Sequence, residues 1–388
     1  MAKSRIYMDW NATAPLLPEA REAVLSALDM TGNPSSVHGE GRAARALVES
    51  ARRDVAALCG AQASAVIFTS GATEAASMVL TPDFRMGRTP LRIGKLYASA
   101  IEHPAVREGG RFAREDVCEV PVTSSGVIDC AALDTLLSAH DRQSGLPIVA
   151  VMLANNETGI IQPIVEVAAI VRAYGGLLVV DAVQAAGRIA LSIEALGADF
   201  LIISSHKIGG PKGVGALVAR GEVMMPSPLI RGGGQEKGHR SGTENVPALA
   251  GFAAAARVAV ANIESRMAGI SALRDRLEAE MRASAPDVVI HGRDVPRIGN
   301  TTFFTLPGLK AETGQIAFDL EGVALSAGSA CSSGKVGQSH VLTAMGHDPR
   351  QGGLRISIGG QTTEAEIDRC AAVFAKVAAR RRAAGQAA

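Results

Sequence analysis

Two apolar runs end in residues that can do chemistry. Phe200-Leu201-Ile202-Ile203 leads into Ser204-Ser205-His206-Lys207, and Leu177-Leu178-Val179-Val180 leads into Asp181-Ala182-Val183-Gln184. Each run is short, continuous and aliphatic, the pattern of a strand buried on both faces. A lysine at a strand end, among small and hydroxyl residues, is placed to hold a carbonyl cofactor by its amine. A carboxylate about two dozen residues upstream, also at a strand end, is placed to meet a ring nitrogen and keep it protonated. The pair suggests pyridoxal 5′-phosphate (PLP), whose protonated ring is an electron sink. Taken one at a time, Lys207 reads equally as a solvated loop lysine and Asp181 as a helix N-cap.

The same pattern recurs along the chain. Ala65-Val66-Ile67-Phe68-Thr69 runs into Ser70-Gly71-Ala72-Thr73-Glu74 and then a helical stretch. A strand passing through small and hydroxyl residues into a helix start is a phosphate-binding arrangement, with backbone N–H groups and the Thr73 hydroxyl facing the anion. An ordinary capped strand-to-helix turn would look similar. Glu102-His103 follows another apolar run and Asn155-Asn156-Glu157 a further one. In a parallel sheet ligands sit at the carboxyl ends of the strands. Polar residues at that end of strand after strand point to one shared site.

Two further residues carry chemistry. Cys331 lies in Ser326-Ala327-Gly328-Ser329-Ala330-Cys331-Ser332-Ser333-Gly334-Lys335, a stretch too rich in glycine and serine to be core. An accessible cysteine there is either a nucleophile, acting as thiolate, or a tolerated surface thiol. Cys59, Cys118, Cys130 and Cys370 fall in apolar or helical patterns and read as packing residues. Arg355 is a single arginine in the apolar run Leu354-Arg355-Ile356-Ser357-Ile358. A buried guanidinium requires a partner: a bidentate substrate carboxylate or an internal salt bridge.

The elements that must position these residues alternate. Strands are expected over 65–69, 95–99, 117–120, 148–153, 177–181, 200–203 and 216–219. Helices are expected over 18–28, 131–139 and 164–174, with a clear amphipathic helix through Ala44, Leu47, Val48, Ala51, Val55 and Leu58. That order predicts an α/β fold with a mostly parallel sheet covered by helices. A long helix is expected from Val246 to about Ala285, broken near Gly269. Beyond Pro286, short strands (288–291, 300–306, 354–358) and helices (313–321, and a last one after Thr363) predict a smaller α+β domain.

Composition bounds the alternatives. The 388 residues are 47% hydrophobic but only 3% aromatic, so the core is built from aliphatic side chains. A net charge of +1 leaves no footprint for nucleic acid. No apolar run approaches the roughly 20 residues of a membrane span, and the N-terminus lacks the h-region of a signal peptide. Five scattered cysteines, an odd number without CxxC spacing, argue for a reducing compartment and against a zinc site or disulfide framework. A cytoplasmic location is expected.

The chain resembles the cysteine desulfurases of the NifS/IscS type, within the class V aminotransferase group of fold-type I PLP enzymes. The likeness runs from about Tyr7 to Phe374. It rests on Asn33-Pro34-Ser35-Ser36-x-His38-Gly39, Ser70-Gly71-Ala72-Thr73-Glu74, Ile101-Glu102-His103-Pro104-Ala105-Val106, Asn155-Asn156-Glu157-x-Gly159, Asp181-Ala182-x-Gln184, His206-Lys207 with Gly210-Pro211-Lys212-Gly213-x-Gly215, Gly233-Gly234-Gln235-Glu236 with Arg240-Ser241-Gly242-Thr243, and Gly328-Ser329-Ala330-Cys331. The opening Asp9-Trp10-Asn11-Ala12-Thr13-Ala14 departs slightly from the family pattern.

The resemblance implies a seven-stranded, mostly parallel sheet in a large PLP-binding domain over 17–263, and a small domain made of 1–16 and 264–388 that carries the cysteine loop. It implies that Lys207 bonds to PLP, Asp181 meets the ring nitrogen, Gln184 the ring hydroxyl, and His103 stacks on the ring and takes part in proton transfer. Ala72, Thr73, Ser204 and His206 would bind the phosphate. Thr243 would reach the phosphate of a neighbouring subunit, making a homodimer. Asn155 and Arg355 would hold the substrate carboxylate end, Asn155 also lying near the ring. Cys331 would take sulfur from L-cysteine as a persulfide, leaving alanine, and pass it to an acceptor such as an iron–sulfur scaffold protein. No resident metal is expected; Cys331 is at most a transient ligand of iron–sulfur cargo. The other activities consistent with these residues are selenocysteine lyase and a different class V PLP reaction.

Overall fold

The computed structural model describes residues 5–328, 338–348, 350 and 352–386. The aliphatic runs form strands Val66–Thr69, Leu146–Met152, Leu177–Asp181 and Phe200–Ser204. Their side chains alternate between two apolar cores. Leu201 and Ile203 enter one with Phe68, and Phe200 and Ile202 enter the other with Ile67. Burial on both faces is why these strands read as unbroken apolar runs.

Val117–Val120, Thr89–Ser99, Leu146–Met152, Leu177–Asp181 and Phe200–Ser204 pair in parallel in that order. Gly215–Ala219 then inserts antiparallel between Phe200–Ser204 and Val66–Thr69. These are the expected seven strands. Asp83–Met86 and Met224–Pro226 extend the sheet to nine strands among the described residues. The extension begins as a hairpin in which Gly87, at φ 59°, makes the turn back into Thr89–Ser99. Its short strands, Asp83-Phe84-Arg85-Met86 and Met224-Met225-Pro226, lack the aliphatic run that marks the others.

Helix Val246–Val260 packs against Gly39–Cys59 and Pro18–Leu28. Its contact with Pro18–Leu28 is lined by Ala20, Ala254 and Ala255, whose small side chains allow close approach. The long helix expected to break near Gly269 breaks earlier. Ala261 leaves the helical conformation and Asn262 turns left-handed at φ 50°, so Val246–Val260 and Ile263–Ser284 lie at 78°. Asparagine tolerates that conformation, whereas Gly269 continues inside the second helix.

A separate core joins Ile6 and Met8 to Ile270, Phe304, Phe318, Ile356 and Phe374. Around it lies a four-stranded antiparallel sheet in the order Val289–Ile290, Thr301–Thr305, Leu354–Ser357, Ser326–Ala327. Strand Ile6–Tyr7 pairs with Val323–Ala324. The chain then bridges to Ser357 at Asp9 and enters the crevice above the large sheet. Among the described residues, no single helix is long and apolar enough to cross a membrane.

Candidate active site

The carboxyl ends of the parallel strands open into a cavity of about 570 Å³. Ala72, Thr73, His103, Asp181, Gln184, Ser204, His206, Lys207 and Arg355 all line it. These residues run from Ala72 to Arg355 in the chain; strand pairing brings them together. Asn155 and Thr243 are not in the wall, and Cys331 lies outside the described residues.

At one end of the cavity, strand Val66–Thr69 turns through Ser70 and Gly71 into helix Ala72–Val79. No side chain caps that helix, and Glu74 accepts instead from the Ser70 N–H at 2.7 Å. Arg240 holds Glu74 in place at 2.9 Å. The first-turn N–H groups therefore point at open cavity, faced by Ser204 and His206. His206 contacts the Thr13 hydroxyl through Nδ1 at 3.2 Å, and burial together with Lys207 and Lys212 lowers its pKa to about 4.

Asp181 ends its strand with Oδ1 accepting from the Val183 N–H at 2.9 Å. Burial raises its pKa to about 6, against the opposing pull of that bond and of Lys207. Glu102 is fully buried; Oε1 accepts from the Met152 N–H at 2.7 Å and Oε2 has no hydrogen-bond partner. Burial and then Asp181 push its pKa well above the usual range. His103 caps the short helix Pro104–Arg107 through Nδ1, which accepts from Ala105 N–H. The proton of its neutral ring is therefore on Nε2. Burial, followed by Lys207 and His340, lowers its pKa to about 4.

The N-terminal segment supplies partners that the strand-end reading did not include. Lys207 Nζ donates to the carbonyls of Asn11 and Ala12 at 2.6 and 2.9 Å. Gln184 donates to the same Asn11 carbonyl at 3.0 Å and accepts from Arg188. Asn11, Ala12 and Thr13 line the cavity. Asn11 is held in turn by Thr301 and Asn300. The polar positions Asp9, Asn11 and Thr13, two apart behind the apolar Ile6 and Met8, are the signal that could have marked this segment.

Arg355 is 2% exposed and makes the internal salt bridge that was one of its two expected partners, with Nη2 on Asp9 Oδ1 at 2.8 Å. Nη1 donates to the Asn156 carbonyl at 2.8 Å, and Nε has no partner. Asn155 stands behind the wall. Its Oδ1 accepts from the N–H groups of Glu157 and Thr158 and from the Thr158 hydroxyl, and its Nδ2 donates to the Ile101 carbonyl. That amide locks the turn which presents Asn156, whose own Oδ1 is buried without a partner, to the cavity. Thr243 is exposed, at the end of a loop anchored by Glu236. Glu236 is bidentate with buried Arg52 at 2.6 and 2.8 Å and accepts from Phe68 N–H.

Residues 6–370 match the aminotransferase class-V family. The chain belongs to that family. It is 38% identical, over 98% of each chain, to the IscS-like cysteine desulfurase of Mycobacterium tuberculosis (strain ATCC 25618 / H37Rv). Among solved structures, the class-V fold seen here superposes on a NifS-like protein from Rickettsia africae ESF-5 with a TM-score of 0.86 at 34% identity, over 96% of this chain and 99% of that one. It also superposes on SspA, solved in complex with cysteine, with a TM-score of 0.75 at 26% identity over 92% and 99% of the two chains.

Proposed function

We propose that this class-V enzyme is a PLP-dependent cysteine desulfurase that moves sulfur from L-cysteine to Cys331. One observation carries the reading: Lys207, Asp181, His103 and an uncapped helix start share a single cavity, in a chain whose full length matches a cysteine desulfurase. The cavity suits a phosphorylated pyridine. Helix N–H groups at Ala72 and Thr73, with Ser204 and His206, would hold the phosphate. Asp181 would hold the ring nitrogen, Gln184 the ring hydroxyl, His103 the ring face, and Lys207 Nζ the aldehyde carbon. Once bound, PLP would supply an electron sink for a carbanion at the substrate α-carbon.

The protein's own residues do the rest. Arg355, with Nε unpartnered beside the cavity, would take the substrate carboxylate, oriented by Asp9 and the Asn156 carbonyl. Asn155 would act through the turn that presents Asn156. Lys207 Nζ, released from the Asn11 and Ala12 carbonyls, would remove the α-proton. Neutral His103 can return or relay a proton through Nε2. The Cys331 thiolate attacks the substrate sulfur. The S–S bond forms as the C–S bond breaks, the electron pair goes to carbon, and carbon takes a proton. L-cysteine and one thiol thus give L-alanine and one persulfide, with no external oxidant.

In this reading the protein works as a homodimer in which Thr243 of one subunit meets the phosphate site of the other. The persulfide passes to an acceptor protein for iron–sulfur or other sulfur-cofactor assembly, in the cytoplasm. The binding half is tested by absorbance. The purified protein with PLP should show the yellow band near neutral pH, and Lys207→Ala should lack the covalent adduct after borohydride reduction. A borohydride-trapped adduct on a different lysine would overturn it.

A further inference from the structure

We infer that Glu157 is a positioning residue for the Cys331-bearing segment: from the turn that carries Asn155 it holds the Ser339 end by a hydrogen bond and closes sterically against the Gly328 end. The inference rests on the desulfurase reading and concerns a residue to which that reading gives no part. Glu157 is 2% exposed, in the turn locked by the Asn155 amide. Its Oε2 accepts from the Ser339 hydroxyl at 2.6 Å. Ser339 Oγ in turn accepts from Leu342 N–H and caps helix His340–Ala344. So one carboxyl group holds the cap of helix His340–Ala344, which follows the cysteine in sequence.

The other end meets the same carboxylate. A β-carbon on Gly328 would stand 2.6 Å from Glu157 Oε2 and 2.7 Å from the Phe303 ring. Only glycine allows that approach, and Gly328 N–H is fixed to the Gly353 carbonyl at 2.9 Å. Gly328 and Ser339, described residues on the two sides of Cys331, thus lie against one side chain. A second contact ties the exit to the cavity. His340 donates through Nε2 to the Glu102 carbonyl at 2.9 Å, next to His103. Val341 and Met345 pack on Ile101 and Ile160, on either side of the same strand-end turns.

A carboxylate used only to shape the cavity wall would touch the α-proton step as much as the sulfur step. One that registers the Cys331 segment would touch the second alone. The test uses the full-length, PLP-loaded protein and two readouts: loss of the α-deuteron from labelled L-cysteine, and single-turnover persulfide on Cys331 by mass spectrometry. Loss of a buried hydrogen bond corresponds to about tenfold in the step it supports. Glu157→Ala and Ser339→Ala should each lower persulfide formation about tenfold with deuteron loss and PLP absorbance unchanged, and the double variant should be no slower than either. Glu157→Gln, which keeps an acceptor for Ser339, should restore most of the rate. A parallel fall in both readouts, or unchanged persulfide formation in Ser339→Ala, would overturn the inference. Absence of persulfide in the unmodified protein would instead overturn the desulfurase reading beneath it.

Discussion

Arg355 donates through Nη2 to Asp9 Oδ1 at 2.8 Å, so the guanidinium in the cavity wall takes its counter-charge from the N-terminal segment. Removing one partner of a buried pair leaves the other charge uncompensated. Asp9→Ala should therefore lower stability by about 1–3 kcal/mol in urea unfolding, the range for an unsatisfied buried group. An unchanged midpoint would mean that Arg355 is compensated without Asp9.

Asp181 is held buried at a cost in stability. Its folded pKa of about 6 lies above the 3.8 of the open chain. The folded state therefore binds the extra proton between those values, and stability falls as pH rises through the window. Below it both states are protonated and the cost vanishes; above it the full cost, up to about 3 kcal/mol, is present. In the PLP-free protein Asp181→Asn should raise the unfolding midpoint at pH 7 and change little at pH 3.5; in the PLP-loaded protein it should abolish most turnover. Equal effects at the two pH values would contradict this assignment of charge.

His103 should stay neutral through the working range. With a pKa of about 4, well below the ordinary 6.5, its ring should show no protonation in NMR titration above pH 5.5. As a proton carrier in the reaction it should contribute roughly a hundredfold, so His103→Gln should lower kcat by that order. A titration midpoint near 6.5 would contradict the burial that the structure gives it.

The Arg52–Glu236 pair holds the loop that leads to Thr243. Arg52→Met leaves the Glu236 carboxylate buried and unpaired, and should cost about 3–5 kcal/mol. If Thr243 serves a neighbouring subunit, the same variant should bind PLP more weakly; that is read by titrating the cofactor absorbance against protein concentration. Full PLP affinity with lowered stability would separate the loop from the cofactor site.

The strand ends were legible because each couples a strong local pattern to a chemical one. The run 200–203 is apolar, and Ser204-Ser205-His206-Lys207 directly after it is polar. A parallel sheet puts such ends side by side, so Thr73, His103, Asp181 and Lys207 could be gathered from sequence. The N-terminal contribution was not legible in that way. Asn11 meets Lys207 and Gln184 through its backbone carbonyl, which any residue has, and only the fold-back of the first strand onto Val323–Ala324 brings it there. The resemblance places Asn155 near the ligand, and no sequence pattern shows that its amide bonds to Thr158, Glu157 and Ile101. The break at Asn262 was missed for a related reason. Glycine is the better-known helix breaker, but an asparagine beside a non-helical Ala261 makes the turn with less change in sequence pattern.

The central claim is that Lys207 and Cys331 act in one reaction on L-cysteine. The most direct test is alanine release from L-cysteine with a thiol reductant, comparing the unmodified protein with Cys331→Ala, both yellow with bound PLP. Alanine and sulfide from the first, and retained colour without that activity in the second, are the predicted results. Alanine release by Cys331→Ala at the unmodified rate would contradict the account and leave Lys207 working without the thiol.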